Sequence, residues 1–150
     1  MPTSILAAVG STGYNIVLLL HILTVVIGFA PAWFIPMMGR LAAKGDAEAG
    51  AQLEASILRF SLPGVALAGL FGFALAGMSE KAYSMSQTWL SIAAVLWIVL
   101  LAVIVLVARP AVKALAAGDL AARGRVMAST GITHLVLIVM LYLMIFKPGL

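Results

Sequence analysis

Apolar residues in this chain come in four long blocks, separated by short polar breaks. The blocks cover residues 14–38, 56–78, 88–108 and 126–146. Each is close to the roughly 20 residues, at about 1.5 Å per residue, that carry a helix across a hydrocarbon core. No water satisfies the backbone inside a bilayer, so such crossings form helices. The strands of a membrane barrel alternate apolar and polar residues, and these blocks do not. The expected fold is all-α: a polytopic four-transmembrane-helix bundle of two helical hairpins, with residues 1–150 as a single domain. Pro31, Pro36 and Pro63 lie in or near the blocks and predict kinks there.

Composition strengthens this reading. The chain is 64% hydrophobic and 9% charged, where a soluble domain carries about a quarter charged residues. Mean hydropathy is +1.18. With no cysteine, disulfides, iron–sulfur ligation and thiolate catalysis are excluded. The opening MPTSILAAVGSTG has no basic residue and no clear cleavage site, so it does not read as a cleaved signal peptide.

Charge sets the expected orientation. Arg40, Lys44 and Arg59 flank the first connection, and Arg109, Lys113, Arg123 and Arg125 flank the third. The opposite side has Lys81 and Lys147. The positive-inside rule then places both long connections in the cytoplasm and both termini outside, in a bacterial inner membrane. The sequence pI near 9.9 reads as contact with anionic lipid headgroups and not with nucleic acid. The lipid bilayer is the expected partner, with other membrane subunits as further candidates.

The two cytoplasmic connections resemble each other. GDAEAGAQLEAS (45–56) and GDLAARGRVMAS (118–129) align without gaps at an offset of 73 residues. Gly45 and Gly118 are placed to end one helix, and Asp46 and Asp119 to cap the next. The preferred reading is a parallel internal repeat of the hairpin.

The second block contains a small-residue ridge, Gly64, Ala68, Gly72 and Ala76, with Gly69 and Gly77 beside it. Such ridges let a helix or a flat ligand approach the backbone closely. Gly28 follows His21 by seven residues on the same face, a gap suited to a porphyrin or to a crossing helix. Trp33, Tyr83, Trp89, Tyr14 and Tyr142 lie where interfacial anchors are expected. Trp97 lies mid-span, as a core or lipid-facing residue.

Three ionisable residues fall inside the blocks: His21, Arg59 and His134. Intramembrane ionisable groups are costly and raise a functional question. His21 precedes Arg40 by 19 residues and His134 follows Arg125 by 9. At 1.5 Å per residue these are depths of roughly 28 and 13 Å, so one iron does not readily reach both histidines. Two smaller groupings remain. Arg59 and His134 share the cytoplasmic half, where Arg59 suits a haem propionate or a lipid phosphate, or simply snorkels to the interface. His21 shares the outer half with Met140, Tyr142 and Met144, and His–Met is a known haem ligation. The other reading of His21 is a core histidine satisfied by one hydrogen bond. The spans contain no carboxylate of the kind an ion-coupled pump keeps, and Glu54 near Arg59 reads as a surface pair. No hydrolytic, phosphate-loop or zinc spacing occurs, so nothing here calls for an enzyme. A small-solute path would have only Asn15, Thr24, Thr130, Thr133 and the histidines.

The segments LLLHILTVVIGFAPAWFIPMMGRLA, LEASILRFSLPGVALAGLFGFALAG and LIVMLYLMIFKPGL resemble a superfamily of small bacterial membrane proteins. It contains HemJ-type protoporphyrinogen oxidases, copper-resistance-D-like domains and an uncharacterised family of predicted integral membrane proteins, which is the most similar. His21, Arg59 and the pair Lys147–Pro148 match HemJ-type positions. The third span lacks that pattern's lysine and histidine, and the fourth has His134 in place of an acidic residue. The resemblance implies a four-helix bundle that holds b-type haem or handles a tetrapyrrole. The expectation is a haem-associated or redox-linked membrane component, with His21 as the iron ligand and Arg59 as a propionate partner. His134 and Gly28 complete the candidate cofactor set. The rival is a non-catalytic accessory subunit packed against a larger membrane complex.

Overall fold

The computed structural model describes residues 9–80 and 82–149. Lys81, counted in the charge balance, and most of the N-terminal stretch read for a signal peptide lie outside the described residues. Among the described residues four helices make up the fold: α1 Thr12–Ala42, α2 Ala47–Gly77, α3 Thr88–Ala116 and α4 Ala122–Phe146. No strand occurs among the described residues. The four-helix, all-α architecture is thus as expected, and each helix is long and apolar enough to cross a membrane.

The helices outrun the apolar blocks at one end. α2 begins at Ala47 and not near residue 56, and α3 continues to Ala116 and not 108. These extensions are rich in alanine, the strongest helix former, which does not need to be in oil to be helical. Each still buries one stripe: Ala49 and Leu53 on α2, and Ala111, Val112 and Leu115 on α3. They pack together so closely that a Cβ on Gly50 would lie 3.0 Å from the Ala116 Cβ.

Both connections at this end make the same turn. Gly45 and Gly118 have φ of +91° and +92°, a left-handed conformation open to glycine at little cost. The amide of Asp46 donates to the Leu41 carbonyl at 3.2 Å, and that of Asp119 to the Ala114 carbonyl at 3.0 Å. Gly45 donates to Ala42 and Gly118 to Leu115, both at 3.0 Å. Every donor and acceptor is offset by 73 residues. Asp46 Oδ1 then accepts from the Ala49 amide at 2.9 Å, and Asp119 Oδ1 from the Ala121 amide at 3.0 Å.

α2 and α3 each widen into one π-type turn, at Ile57–Ser61 and Ile104–Ala108. Proline is the cause in both. Pro63 and Pro110 lack an amide hydrogen, and their rings would strike the carbonyl four residues back. One inserted residue relieves this: Leu62 donates to Ile57 and Arg109 to Ile104. Near these turns all four helices surround a void of about 20 Å³, whose lining includes Ser61, Ser129, Thr130 and Thr133. It is about large enough for one water.

The core runs through Leu53, Val65, Leu100, Val112, Leu115 and Val126. The exterior is just as apolar: Leu19 is 64% exposed, Leu106 71% and Ile145 70%. Water does not tolerate so continuous an oily surface, whereas lipid does. The chain is a multi-pass membrane protein.

α1 and α2 cross with their backbones touching. A Cβ on Gly64 would lie 2.5 Å from Gly28 Cα, and one on Gly28 would lie 2.7 Å from the Val65 nitrogen. Of the two occupants suited to the gap beside Gly28, the crossing helix fills it.

Candidate functional site

Past the crossing, the α2 sequence VALAGLFG determines what its neighbours meet. In a helix the side chain at i+4 lies over the carbonyl of residue i. Gly69 and Gly72 stand four residues after Val65 and Ala68, so both carbonyls are left uncovered. Each receives a side-chain donor in addition to its helical bond. Trp97 Nε1–H of α3 donates to the Val65 carbonyl at 2.8 Å, and His21 Nδ1 lies 2.7 Å from the Ala68 carbonyl. The fit is close: a Cβ on Gly72 would lie 3.3 Å from His21 Cε1, and one on Gly69 would overlap the Trp97 indole.

A carbonyl only accepts, so Nδ1 carries the proton and the neutral ring keeps its lone pair on Nε2. That is the tautomer and the orienting bond found in metal-ligating histidines, whose other nitrogen donates to a carbonyl or carboxylate.

His21 lines a cavity of about 630 Å³ in the half of the bundle away from the glycine turns. Small-molecule sites span about 300–1,000 Å³. Val25 and Phe29 extend the α1 wall, Val65 and Ala68 form that of α2, and Leu100 lies on that of α3. Met140 and Met144 face it from α4. Tyr14, Tyr83 and Lys147 stand at its end farthest from the glycine turns.

The structure therefore brings His21, Met140 and Met144 to one chamber. Tyr142, grouped with them by level, faces outward at 52% exposure and stacks on Phe146 with centroids 4.9 Å apart. Arg59 is exposed and forms no part of the chamber wall. Its expected ion pair with Glu54 is not formed: Arg125–Asp119, at 3.8 Å, is the one ion pair among the described residues. His134 lies edge-on to Trp33, with ring centroids 4.5 Å apart, and its buried Nε2 has no hydrogen-bond partner. Trp33 is 12 residues along α1 from His21, about 18 Å of helix. Depth separates the two histidines, and only His21 reaches the chamber.

The polar side chains considered for a solute path bond locally. Thr24 donates to the Leu20 or His21 carbonyl, Thr130 to Val126 and Thr133 to Ser129. Asn15 donates to Gly10.

Two site residues were poorly marked in the sequence. Trp97 read equally as core or lipid-facing, and its one signal is Gly69, which makes room for it. Lys147 entered only through the charge balance and the Lys–Pro likeness. It caps α4 in a left-handed conformation with φ 43°, and its Nζ lies 2.8 Å from the Tyr83 hydroxyl.

Fold and site together define a multi-pass helical membrane protein with an internal ligand-sized chamber, mostly apolar and lined by one histidine. No protein-family model, no curated protein and no solved structure matches the chain.

Proposed function

We propose that this protein is a haem-associated component of a bacterial inner membrane that holds b-type haem in its chamber through His21. By the charge rule, the glycine turns face the cytoplasm and the chamber lies in the outer half. The supporting observation is the His21 imidazole on the chamber wall, its Nδ1 2.7 Å from the Ala68 carbonyl; with Nδ1–H donating there, Nε2 is the nitrogen available to a ligand. The donor set fits a metal already held in a macrocycle. Among the described residues no three His, Cys, Asp or Glu side chains come together, so a bare ion would have too few ligands, whereas haem iron asks the protein for one or two. Haem supplies one-electron chemistry when bound. The chain itself binds the ring among apolar walls, orients the imidazole and excludes water. Met140 and Met144 offer thioethers from the α4 wall. Arg59, His134 and Gly28 take no part in this reading.

The test is a visible spectrum of the purified protein in mild detergent, oxidised and reduced. Wild type and His134→Ala should show a Soret band and a reducible α-band, and His21→Ala should lose both while keeping its helical circular dichroism. Folded but colourless wild-type protein overturns the proposal and leaves the accessory-subunit role in its place.

A further inference from the structure

At the outer end of the chamber α4 stops, and the left-handed residue Lys147 places its ammonium 4.5 Å from the centre of the Tyr83 ring and 2.8 Å from its hydroxyl. Lys147 is the only lysine or arginine on the chamber wall among the described residues. Among the described residues it pairs with no carboxylate, and the one ion pair lies at the other end of the bundle. The ammonium has three hydrogens and the phenol oxygen accepts one of them, leaving two ammonium hydrogens and the phenol O–H to donate. Donors converge here, and no acid among the described residues receives them. Behind them the chamber is nearly all hydrocarbon, running along α1 from Tyr14 to Phe29, about 22 Å of helix.

The walls are unequal. Most of the α2 and α3 wall is closed, with Val65 2%, Trp89 4% and Leu100 0% exposed, and Phe73 of α2 is open at 39%. The α1 and α4 walls are open at Ile22, Val26 and Leu141, which are 52%, 60% and 48% exposed, while Tyr14 and Phe29 at the two ends of the α1 wall are buried. The chamber thus opens between α1 and α4, towards the hydrocarbon.

We infer that the chamber admits a carboxylate-bearing amphiphile laterally from the bilayer, and that Lys147 and Tyr83 bind its carboxylate. The inference rests on the haem reading only for the location of the ligand and does not need an iron. The same chemistry has two sources, the propionate of a tetrapyrrole or the head of a single-chain fatty acid. A charge-assisted hydrogen bond at such a site is worth about 1.5–3 kcal/mol, at least tenfold in affinity.

Two pairs of probes test it in detergent: a long-chain fatty acid against the alcohol of equal length, and haemin against its dimethyl ester. Wild type should prefer the acid of at least one pair by about tenfold. Lys147→Gln should abolish that preference, and Lys147→Arg should keep it. Discrimination confined to the haemin pair assigns the site to propionate, and discrimination confined to the fatty-acid pair assigns it to lipid. A wild type that distinguishes neither pair, or a preference that survives in Lys147→Gln, overturns the inference. A colourless wild type that still prefers the acid overturns the haem reading alone.

Discussion

Replacing Gly64 with alanine strikes the crossing that holds His21 to its carbonyl. The new methyl would stand 2.5 Å from Gly28 Cα and 2.6 Å from its nitrogen, where ordinary contact begins at 3.4 Å. Both obstacles are backbone, so no rotamer relieves them, and α1 must retreat from α2 by about an ångström. Ala68 is one turn further along α2, and its carbonyl lies 2.7 Å from His21 Nδ1. A retreat of that size carries the pair to about 3.7 Å, beyond hydrogen bonding. Overpacking costs about 1–3 kcal/mol, and alanine recovers at most about 1 kcal/mol of helix propensity. The expected net loss is about 1–2 kcal/mol. Titration of mixed micelles with a denaturing detergent, followed by tryptophan fluorescence, measures it. Imidazole nitrogen shifts report the His21 bond in the same samples. Gly124→Ala and Gly131→Ala are the controls, because an added Cβ there meets nothing within 4 Å, and both should match or exceed wild type. Gly64→Ala with wild-type stability and an unchanged His21 resonance would refute the reasoning.

Trp97→Phe keeps the ring on Gly69 but loses the 2.8 Å bond to the Val65 carbonyl; the same titration should show a loss of about 0.5–1.5 kcal/mol. Gly69→Ala overlaps the indole itself and should displace Trp97, seen as a shifted tryptophan emission and a larger loss than Trp97→Phe. Gly45→Ala and Gly118→Ala each force a side chain into a left-handed turn and should each cost about 1–2 kcal/mol, with similar values if the two turns are energetic as well as geometric copies. Asp46→Ala should cost about 1 kcal/mol through loss of its cap. For Asp119, added salt should leave stability unchanged, because the Arg125 pair is open to solvent at 60% and 49% side-chain exposure.

Much of the fold was legible because oiliness alone specifies a crossing helix. The helix ends were not, since Ala47–Ser56 at the start of α2 is helical by propensity and burial of one stripe, without being oily. The Gly–Asp turns were legible because glycine and aspartate do the same local work in both copies. In the site, residue spacing along a straight helix separated His21 from His134 before any packing was known. Arg59 shows the limit of that reasoning: position along the chain gives depth, but the π turn containing it decides which way it faces. Trp97 and Lys147 were obscure for another reason. Their partners lie 32 and 64 residues away, on segments whose relative rotation no single-helix pattern contains.

The π turn of α2 acts as a phase setting. One residue turns an α-helix by about 100°. Beyond Leu62 the sequence PGVALAGLFGFALAG is apolar or small on every side, so a bilayer would accept that half of the helix at any rotation. Deleting a single residue between Ile57 and Ser61 would leave a helix as long and oily as a crossing requires. It would also swing Ala68 and Gly72 about a quarter-turn away from His21. Insertion into the membrane does not register that angle, but the imidazole does. The turn lets the two halves of one helix meet separate demands, one keyed to the glycine turns and the other to a histidine on the neighbouring helix of the bundle.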